Sequence, residues 1–185
     1  MRVDEGELTL RSATIADAEI LTEWWNDGGV MAHAGFPLGL GTNVEGTREN
    51  IEQNNAYSQL LMIEWEGQPI GECNYRIRDG IAEIGIKICR AEFQNQGIGK
   101  NVLKLLIKTL FEMRDVDGGF LIKKIVLDTN LKNTSAQHVY EKLGFRKMRV
   151  NVDSWQDQLG QWQSTVDYEL VRASSEQGFN PQCYN

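Results

Sequence analysis

Two glycines lie where a strand pattern in the middle of the chain gives way to a helix pattern. They belong to one short segment, which reads Gln94, Asn95, Gln96, Gly97, Ile98, Gly99 and Lys100. The first N–H groups of a helix have no carbonyl partner within the helix, and they carry the positive end of its dipole. Because glycine has no Cβ, an anionic oxygen can approach these groups closely. The segment therefore predicts a phosphate site formed by backbone amides.

The same glycines do not fit the two common nucleotide motifs. A dinucleotide fingerprint needs a third glycine where this chain has Val102, and an acidic residue about 20 positions further on. A P-loop needs serine or threonine where this chain has Asn101, and a glycine five places before Gly99. On spacing alone, the two glycines are equally compatible with a simple turn into the helix.

Two further side chains could exchange protons. Glu83 lies in an alternating run, on the face opposite Ile84, and a carboxylate on a central strand needs either a solvated cleft or a hydrogen-bonding partner. Arg76 or Arg78 could be that partner. Tyr140 lies in a later helical stretch, where periodicity alone favours a core tyrosine packed on the sheet.

The elements that must position these residues follow an α/β pattern. Alternation predicts strands at residues 8–11, 59–65, 70–77, 81–89, 123–127, 146–152 and 165–170. Helical periodicity predicts helices at residues 14–26, 44–53, 98–113 and 134–143. Capping boxes are predicted at Thr14 with Asp17, Thr42 with Glu45, and Thr134 with Gln137. Residues 26–29, with two glycines, are expected to end the first helix.

This order of elements predicts one mixed sheet with helices packed on it. The unit spanning residues 81–127 is a strand–helix–strand crossover, so its two strands should be parallel. Since 185 residues suit a single domain, residues 1–172 are expected to form one domain, followed by a polar tail at residues 173–185.

The spacing Gln94-x-x-Gly97-x-Gly99 matches the Q/R-x-x-G-x-G/A motif of the GNAT N-acetyltransferases. The chain resembles this family over about residues 8–170, with the matching pieces in family order. Residues 10–11 and 23–27 look like the start of the ribosomal-protein alanine acetyltransferase branch. Residues 67–71 match the hairpin before the cofactor strand, and residues 133–145 match the second cofactor segment.

This resemblance implies a mostly antiparallel central sheet, with a parallel pair splayed around the cofactor and helices on both faces. It implies acetyl-CoA as cosubstrate, whose pantetheine arm pairs with the backbone of Ile86, Lys87 and Ile88. Residues 94–100 would hold the pyrophosphate. The side chain of Asn133 would contact the coenzyme as well as cap a helix.

Amide formation from a thioester requires an acceptor amine without its extra proton and a stabilised thiolate. An alkyl ammonium has a pKa of ~10.4, so a nearby base helps. Glu83, on the cofactor strand, is the predicted base, through a water, and Glu72 on the neighbouring strand is the reserve. Other family members carry a carboxylate near Gly85, where this chain has none. By resemblance, Tyr140 faces the coenzyme sulfur and donates to the departing thiolate.

Composition restricts partners and compartment. The formal net charge of −7 repels nucleic-acid phosphates and favours a cationic acceptor. Cys73, Cys89 and Cys183 are far apart, which is typical of reduced thiols in a cytoplasmic protein. His33 and His138 have no metal-ligand spacing, so no metal is expected. We also expect no signal peptide and no membrane segment.

Two acceptor classes remain open for a direct transfer to a primary amine. One is the N-terminus of a protein or peptide, and the other is a small-molecule amine, of which an aminoglycoside is the alternative suggested by the acidic charge. His33, Trp155 and Trp162 are expected near the acceptor, unless the tryptophans mediate a contact in the homodimer that the resemblance allows. A non-catalytic acyl-CoA-binding module is the second functional class.

Overall fold

One mixed sheet organises residues 1–172, which are the part of the chain that the computed structural model describes. The eight strands are β1 (Arg2–Glu5), β2 (Leu8–Ser12), β3 (Ser58–Trp65), β4 (Gln68–Arg78), β5 (Ile81–Ile88), β6 (Lys124–Asn130), β7 (Arg146–Gln156) and β8 (Trp162–Val171). The α-helices are α1 (Ala18–Asn26), α2 (Gly28–Met31), α3 (Val44–Glu52), α4 (Ile98–Glu112) and α5 (Thr134–Lys142). The predicted tail at residues 173–185, with Cys183, lies outside the described residues.

The spatial order of the strands is β1-β2-β3-β4-β5-β6-β8-β7. β5 and β6 are parallel, and every other pair of neighbours is antiparallel. The parallel pair is short, because only Ile81–Glu83 of β5 align with residues 124–126 of β6. Beyond that point the two strands separate while each continues, β5 to Ile88 and β6 to Asn130. The predicted mixed fold with a splayed parallel pair is confirmed.

Helices cover both faces of the sheet, as predicted. On one face, α4 packs its apolar residues Val102 and Leu106 into a core that includes Ile125 and Tyr168. On the other face, α1 and α3 contribute to a second core through residues such as Leu21 and Ile51. β3 contributes side chains to both cores, since neighbouring residues of a strand point to opposite faces. Among the described residues, no helix has the length and apolar character that a membrane span requires.

The starts of three helices differ from prediction, and in each case a short polar side chain explains the difference. Asp27 accepts from the N–H of Gly29 at 2.7 Å, so α2 begins where the first helix was expected to end. Asn43, rather than Thr42, caps α3 by accepting from the N–H of Gly46 at 2.9 Å. Asn133 accepts from Ala136 at 3.2 Å and caps α5 one residue before the predicted Thr134.

A buried ion network joins the first helix to the sheet. Arg11 of β2 donates to Glu64 of β3 at 2.7 Å, and two other guanidinium nitrogens reach Asp17 at 2.7 Å each. Asp17 also accepts from the N–H and hydroxyl of Thr14 at 2.8 and 2.9 Å, as expected for the predicted capping pair. Burial opposes ionisation of Asp17, but the bonds from Arg11 and Thr14 prevail and lower its pKa below the ordinary value.

Candidate active site

The separation of β5 from β6 opens a cleft of about 370 Å³ in the sheet. Each strand lines it with the stretch beyond their last pairing: Ile84, Gly85, Ile86 and Lys87 from β5, and Leu127, Asp128, Thr129 and Asn130 from β6. Asn133 and Tyr140 close the side near α5, while His33, Ala34, Trp155 and Thr165 line the remainder. Backbone groups that face this gap have no strand partner within residues 1–172, so an extended polar molecule could pair with them.

The predicted pantetheine-binding stretch of β5 lies at this cleft. Ile86 and Lys87 line it directly. Ile88 follows them, but its carbonyl oxygen already accepts a hydrogen bond from the Gln94 side chain at 2.8 Å. The Lys87 carbonyl oxygen faces β4, where it would lie 2.1 Å from a Cβ on Gly71, so the backbone of Ile86 is the freer part of the stretch.

The loop between β5 and α4 presents backbone N–H groups outward. Gly97 is the residue before the first turn of α4 and has a φ of +79°, which favours glycine. Among the described residues, the N–H groups of Gly97, Ile98 and Gly99 find no acceptor. A Cβ built on Gly97 would meet nothing within 4 Å, and one on Gly99 would touch only Ile88, at 3.9 Å. The space in front of these amides is open, and the donor set suits a phosphate.

Side chains of the same loop hold its shape. Gln94 ties the loop to the end of β5, and the Gln96 amide donates to the carbonyl of Glu92. Asn95, between them, has a φ of +59°, a left-handed conformation that asparagine tolerates. Lys100 is half-buried and forms no ion pair with another described residue. The glutamines predicted at the phosphate thus act on the loop itself.

Tyr140 combines a packed ring with a free hydroxyl. The ring meets Tyr168 edge-on, with centroids 5.6 Å apart, and lies tilted against Phe145 at 5.9 Å. The hydroxyl makes no hydrogen bond with any described residue, although the residue lines the cleft. Burial, followed by the negative charge of Asp128, raises the pKa of Tyr140 to about 12. The hydroxyl therefore keeps its proton at neutral pH and can act as a donor.

Asp128 is a functional candidate that the sequence reasoning missed. It lines the cleft from β6, and its Cα partner on β8 is Asp167. Loss of hydration, then the charges of Asp167 and Glu83, raise the pKa of Asp128 above its ordinary value. The signal was present, because Asp128 follows the buried Leu127 on a central strand, which is the criterion that singled out Glu83.

A second cavity of about 380 Å³, called the trough below, lies on the sheet face that α1 and α3 cover. Carboxamide and hydroxyl side chains dominate its polar wall: Asn50, Gln53, Asn54, Ser58, Gln59 and Asn74. Glu83 lines the trough rather than the cleft that holds Tyr140. Lys87 lines both, so the two cavities meet at β5.

Glu72, the reserve base, is already engaged. Its side chain is 3% exposed, and it accepts from the Lys87 ammonium at 2.8 Å and from the Trp25 indole N–H at 3.2 Å. A buried carboxylate already held by two donors is not free to contact an acceptor amine.

The turn between β7 and β8 is fastened to the segment that follows α2. Gln158 donates from its backbone to Gly35 at 2.9 Å, accepts from Leu38 at 2.9 Å and donates from its side chain to Gly39 at 3.0 Å. Trp155 packs so closely on Gly35 that a Cβ there would lie 2.3 Å from the indole ring. Trp155 and His33 thus line the cleft as expected, whereas Trp162 lines neither cavity.

Cysteine and metal chemistry find no support among residues 1–172. Cys89 is buried outside both cavities, and burial, with the charge of Glu72, raises the pKa of its thiol to about 12. A thiol of that pKa is a poor nucleophile at neutral pH. The same residues contain no group of three or more histidine, cysteine, aspartate or glutamate side chains that could hold a metal ion.

Comparison with known proteins agrees with this geometry. A family model described as an acetyltransferase (GNAT) domain matches residues 7–146. No curated protein matches the chain.

Solved structures share the fold at low identity. The chain is similar to RimL, a ribosomal L7/L12 alpha-N-protein acetyltransferase in complex with coenzyme A, with a TM-score of 0.78 and 18% identity over 92% of this chain and 98% of that one. It is similar to the microcin C7 self-immunity acetyltransferase MccE in complex with acetyl-CoA and AMP, with a TM-score of 0.74 and 23% identity over 91% and 94%. A Salmonella typhimurium acetyltransferase that modifies the N-terminal serine of L7/L12 gives a TM-score of 0.73 and 18% identity over 91% and 97%.

Proposed function

Since the chain belongs to the GNAT family of acetyltransferases, we propose that it moves the acetyl group of acetyl-CoA directly to a primary amine. One observation carries this proposal. The gap between β5 and β6 has outward-facing amides at Gly97–Gly99 near one end, and it is lined by Tyr140, which stays protonated. These are the groups that an acyl thioester bearing a diphosphate requires.

Different residues of the cleft bind different parts of acetyl-CoA. The backbone of Ile86 pairs with the pantetheine arm in the gap, and the N–H groups of residues 97–99 bind the pyrophosphate. Asn133, which caps α5 and lines the cleft, contacts the coenzyme beside Tyr140. When bound, acetyl-CoA supplies an acyl carbon activated by its thioester.

Tyr140 stabilises the leaving group. A thiol has a pKa of ~8.5, whereas the pKa of Tyr140 is about 12, so the tyrosine donates a hydrogen bond to the thiolate and keeps most of its proton. A hydrogen bond that strengthens as negative charge develops favours the transition state over the ground state.

The acceptor must lose a proton before its nitrogen can attack. Asp128 shares the cleft with Tyr140, and its raised pKa makes it a better base than an ordinary carboxylate. Glu83, the base predicted from sequence, lies on the trough side, where its charge attracts an ammonium. We therefore assign proton removal to Asp128 and attraction of the amine to Glu83.

The lining of the trough supports a protein or peptide N-terminus over an aminoglycoside. Glu72 and Lys87 neutralise each other, so Glu83 and Arg76 are the charges left in the trough. A polycation would find one free carboxylate and would have to pass a guanidinium. Carboxamides suit a peptide backbone better, because each of them both donates and accepts.

The test measures thiol release and coenzyme binding separately. The protein is mixed with acetyl-CoA and one acceptor at a time: a short peptide with a free N-terminus, the same peptide with a blocked N-terminus, and an aminoglycoside. We expect thiol release with the free peptide alone. Release with the aminoglycoside alone would reverse the choice of acceptor.

Calorimetric titration with coenzyme A accompanies this assay. Binding without thiol release from any amine would indicate a non-catalytic acyl-CoA-binding module. Absence of binding would contradict the assignment of the cleft.

A further inference from the structure

Two opposite charges lie side by side in the trough without contacting each other. Arg76 of β4 and Glu83 of β5 are direct cross-strand partners, and both side chains are exposed within the trough. Neither forms an ion pair within 4 Å of any described residue. Both charges are therefore available to a ligand.

Another pair of facing charges on the same two strands does form a salt bridge. Glu72 and Lys87, four residues along each strand from Arg76 and Glu83, are also cross-strand partners, and they meet at 2.8 Å. Opposite charges at facing positions normally stabilise a sheet by such contact. The lack of contact between Arg76 and Glu83 distinguishes them from a structural pair.

Position along the strands relates these charges to the proposed reaction. Asn74, the residue of β4 between the two pairs, faces Gly85, which lines the cleft. Arg76 lies two residues beyond Asn74, or about 7 Å along the strand. Glu83 lies nearer the cleft lining, since β5 begins to line it at Ile84. An amine held near Glu83 would place a second group of the acceptor within reach of Arg76.

We propose that Arg76 and Glu83 select an acceptor that carries a carboxylate a few ångströms from its amine. This inference rests on the proposed acetyl transfer and specifies its acceptor. Glu83 faces the ammonium, and Arg76 binds the carboxylate, because the planar guanidinium fork matches a carboxylate with two parallel hydrogen bonds. An acidic residue at the start of a peptide and a free acidic amino acid share this chemistry.

The test compares matched acceptors on three proteins. The acceptors are short peptides that differ only by Asp or Asn at the second position, and free aspartate with asparagine amide, which carries no carboxylate. The proteins are the wild type, Arg76→Gln, and the control Arg78→Gln. Arg78 lies on the same strand, its side chain is 92% exposed, and it lines neither cavity.

We expect kcat/KM of the wild type to be higher for the acidic peptide by on the order of tenfold, as one charge-assisted hydrogen-bond pair allows. Arg76→Gln should bring the ratio close to one, whereas Arg78→Gln should leave it unchanged. Preference for the free amino acids instead of the peptides would identify the source of the carboxylate. An equal ratio in all three proteins for both kinds of acceptor would overturn the inference.

A binding measurement separates this inference from the proposed function. If no amine releases thiol from acetyl-CoA, the acidic and neutral peptides are titrated calorimetrically into the protein saturated with coenzyme A. Tighter binding of the acidic peptide by the wild type, lost in Arg76→Gln, would support the inference even though transfer had failed. Equal binding would overturn it.

Discussion

At Tyr140, one side chain satisfies two demands that the sequence presented as alternatives. Periodicity favoured a core residue, and resemblance favoured a hydroxyl near sulfur. The ring packs on Phe145 and Tyr168 while the residue lines the cleft, so packing fixes the position of the hydroxyl. A donor that is already in place loses little entropy when it hydrogen-bonds.

Replacing Tyr140 by phenylalanine should lower kcat by about 100-fold, the lower range for loss of a proton donor. The KM for acetyl-CoA should change little, because the aromatic packing is retained. Tyr168→Phe is the matched control, since that hydroxyl bonds Glu141 at 3.0 Å and lies outside the cleft. Steady-state kinetics on both variants decide the matter, and equal kcat values would remove Tyr140 from the reaction.

Substitution of Asp128 and substitution of Glu83 should have different effects on the pH dependence of activity. A base works only when ionised, so a raised pKa of Asp128 means that activity falls as the pH drops through that raised value. Asp128→Asn should lower activity and abolish this acidic limb of the pH–rate profile. Glu83→Gln should keep the limb and raise the KM of the amine. The opposite pattern, with the limb lost in Glu83→Gln alone, would restore Glu83 as the base.

The register between two strands explains why the sequence selected Glu83 first. Alternation correctly places Glu83 opposite Ile84, but it does not say where the parallel pairing ends. Because pairing stops at Glu83 and Val126, Asp128 lies in the gap whereas Glu83 faces the trough. The position of the glycine loop before a helix and of Tyr140 at the cleft could be predicted, since motif and resemblance are local. Which carboxylate lies in the gap depended on a non-local distance.

At the scale of elements, Gly97 at the start of α4 has a matched counterpart in Gly118, which lies in the segment between α4 and β6. Gly97 and Gly118 have the same φ of +79°, and a Cβ on either would meet nothing within 4 Å. Valine at either position should cost about 1–2 kcal/mol of stability through backbone strain. Only Gly97→Val should weaken coenzyme A binding, by on the order of tenfold, because it crowds the amides that face the phosphates. Calorimetry with both variants tests this, and equal losses of affinity would assign the effect to strain alone.

The junction of β2, β3 and α1 should make stability depend on pH. The pKa of Asp17 is lowered in the folded protein, so its contribution is present above the unfolded pKa of ~3.9 and is lost as the pH falls through the folded value. Asp17→Asn should cost about 3 kcal/mol at neutral pH, since it leaves Arg11 partly buried without that partner.

Urea unfolding at several pH values measures this contribution. The cost of Asp17→Asn should diminish at acidic pH, where the wild type has lost the same charge. Asp79→Asn serves as the control, because its ion pair with Arg78 is exposed and should contribute little. A cost for Asp17→Asn that stays constant with pH would contradict the linkage.

Across the whole molecule, periodicity and resemblance together predicted the mixed sheet, its parallel pair and the helices on both faces. β1 was not predicted, because Arg2–Glu5 is short, polar and mostly exposed. The attachment of the β7–β8 turn to the segment after α2 was not predictable either. Gln158 meets Leu38 and Gly39 across roughly two thirds of the chain, and no local pattern specifies such a contact.

The net charge of −7 and the lining of the trough favour different acceptors. The net charge favours a cationic acceptor, but charge summed over a surface does not describe one cavity. In the trough, Glu72 is neutralised by Lys87, and Arg76 offsets Glu83. The local balance of charge is therefore the better guide to the acceptor.

The short pairing between β5 and β6 has a consequence for the empty and loaded protein. Three aligned residue pairs, extended by main-chain bonds from Lys123 and Lys124 to Gly80, join a five-stranded half-sheet to a three-stranded one. In the proposed complex, a coenzyme bound in the gap would hydrogen-bond to β5 and fill the space between the two halves. Coenzyme binding would then add to the free energy of unfolding, so the protein would unfold less often in cells rich in the cofactor.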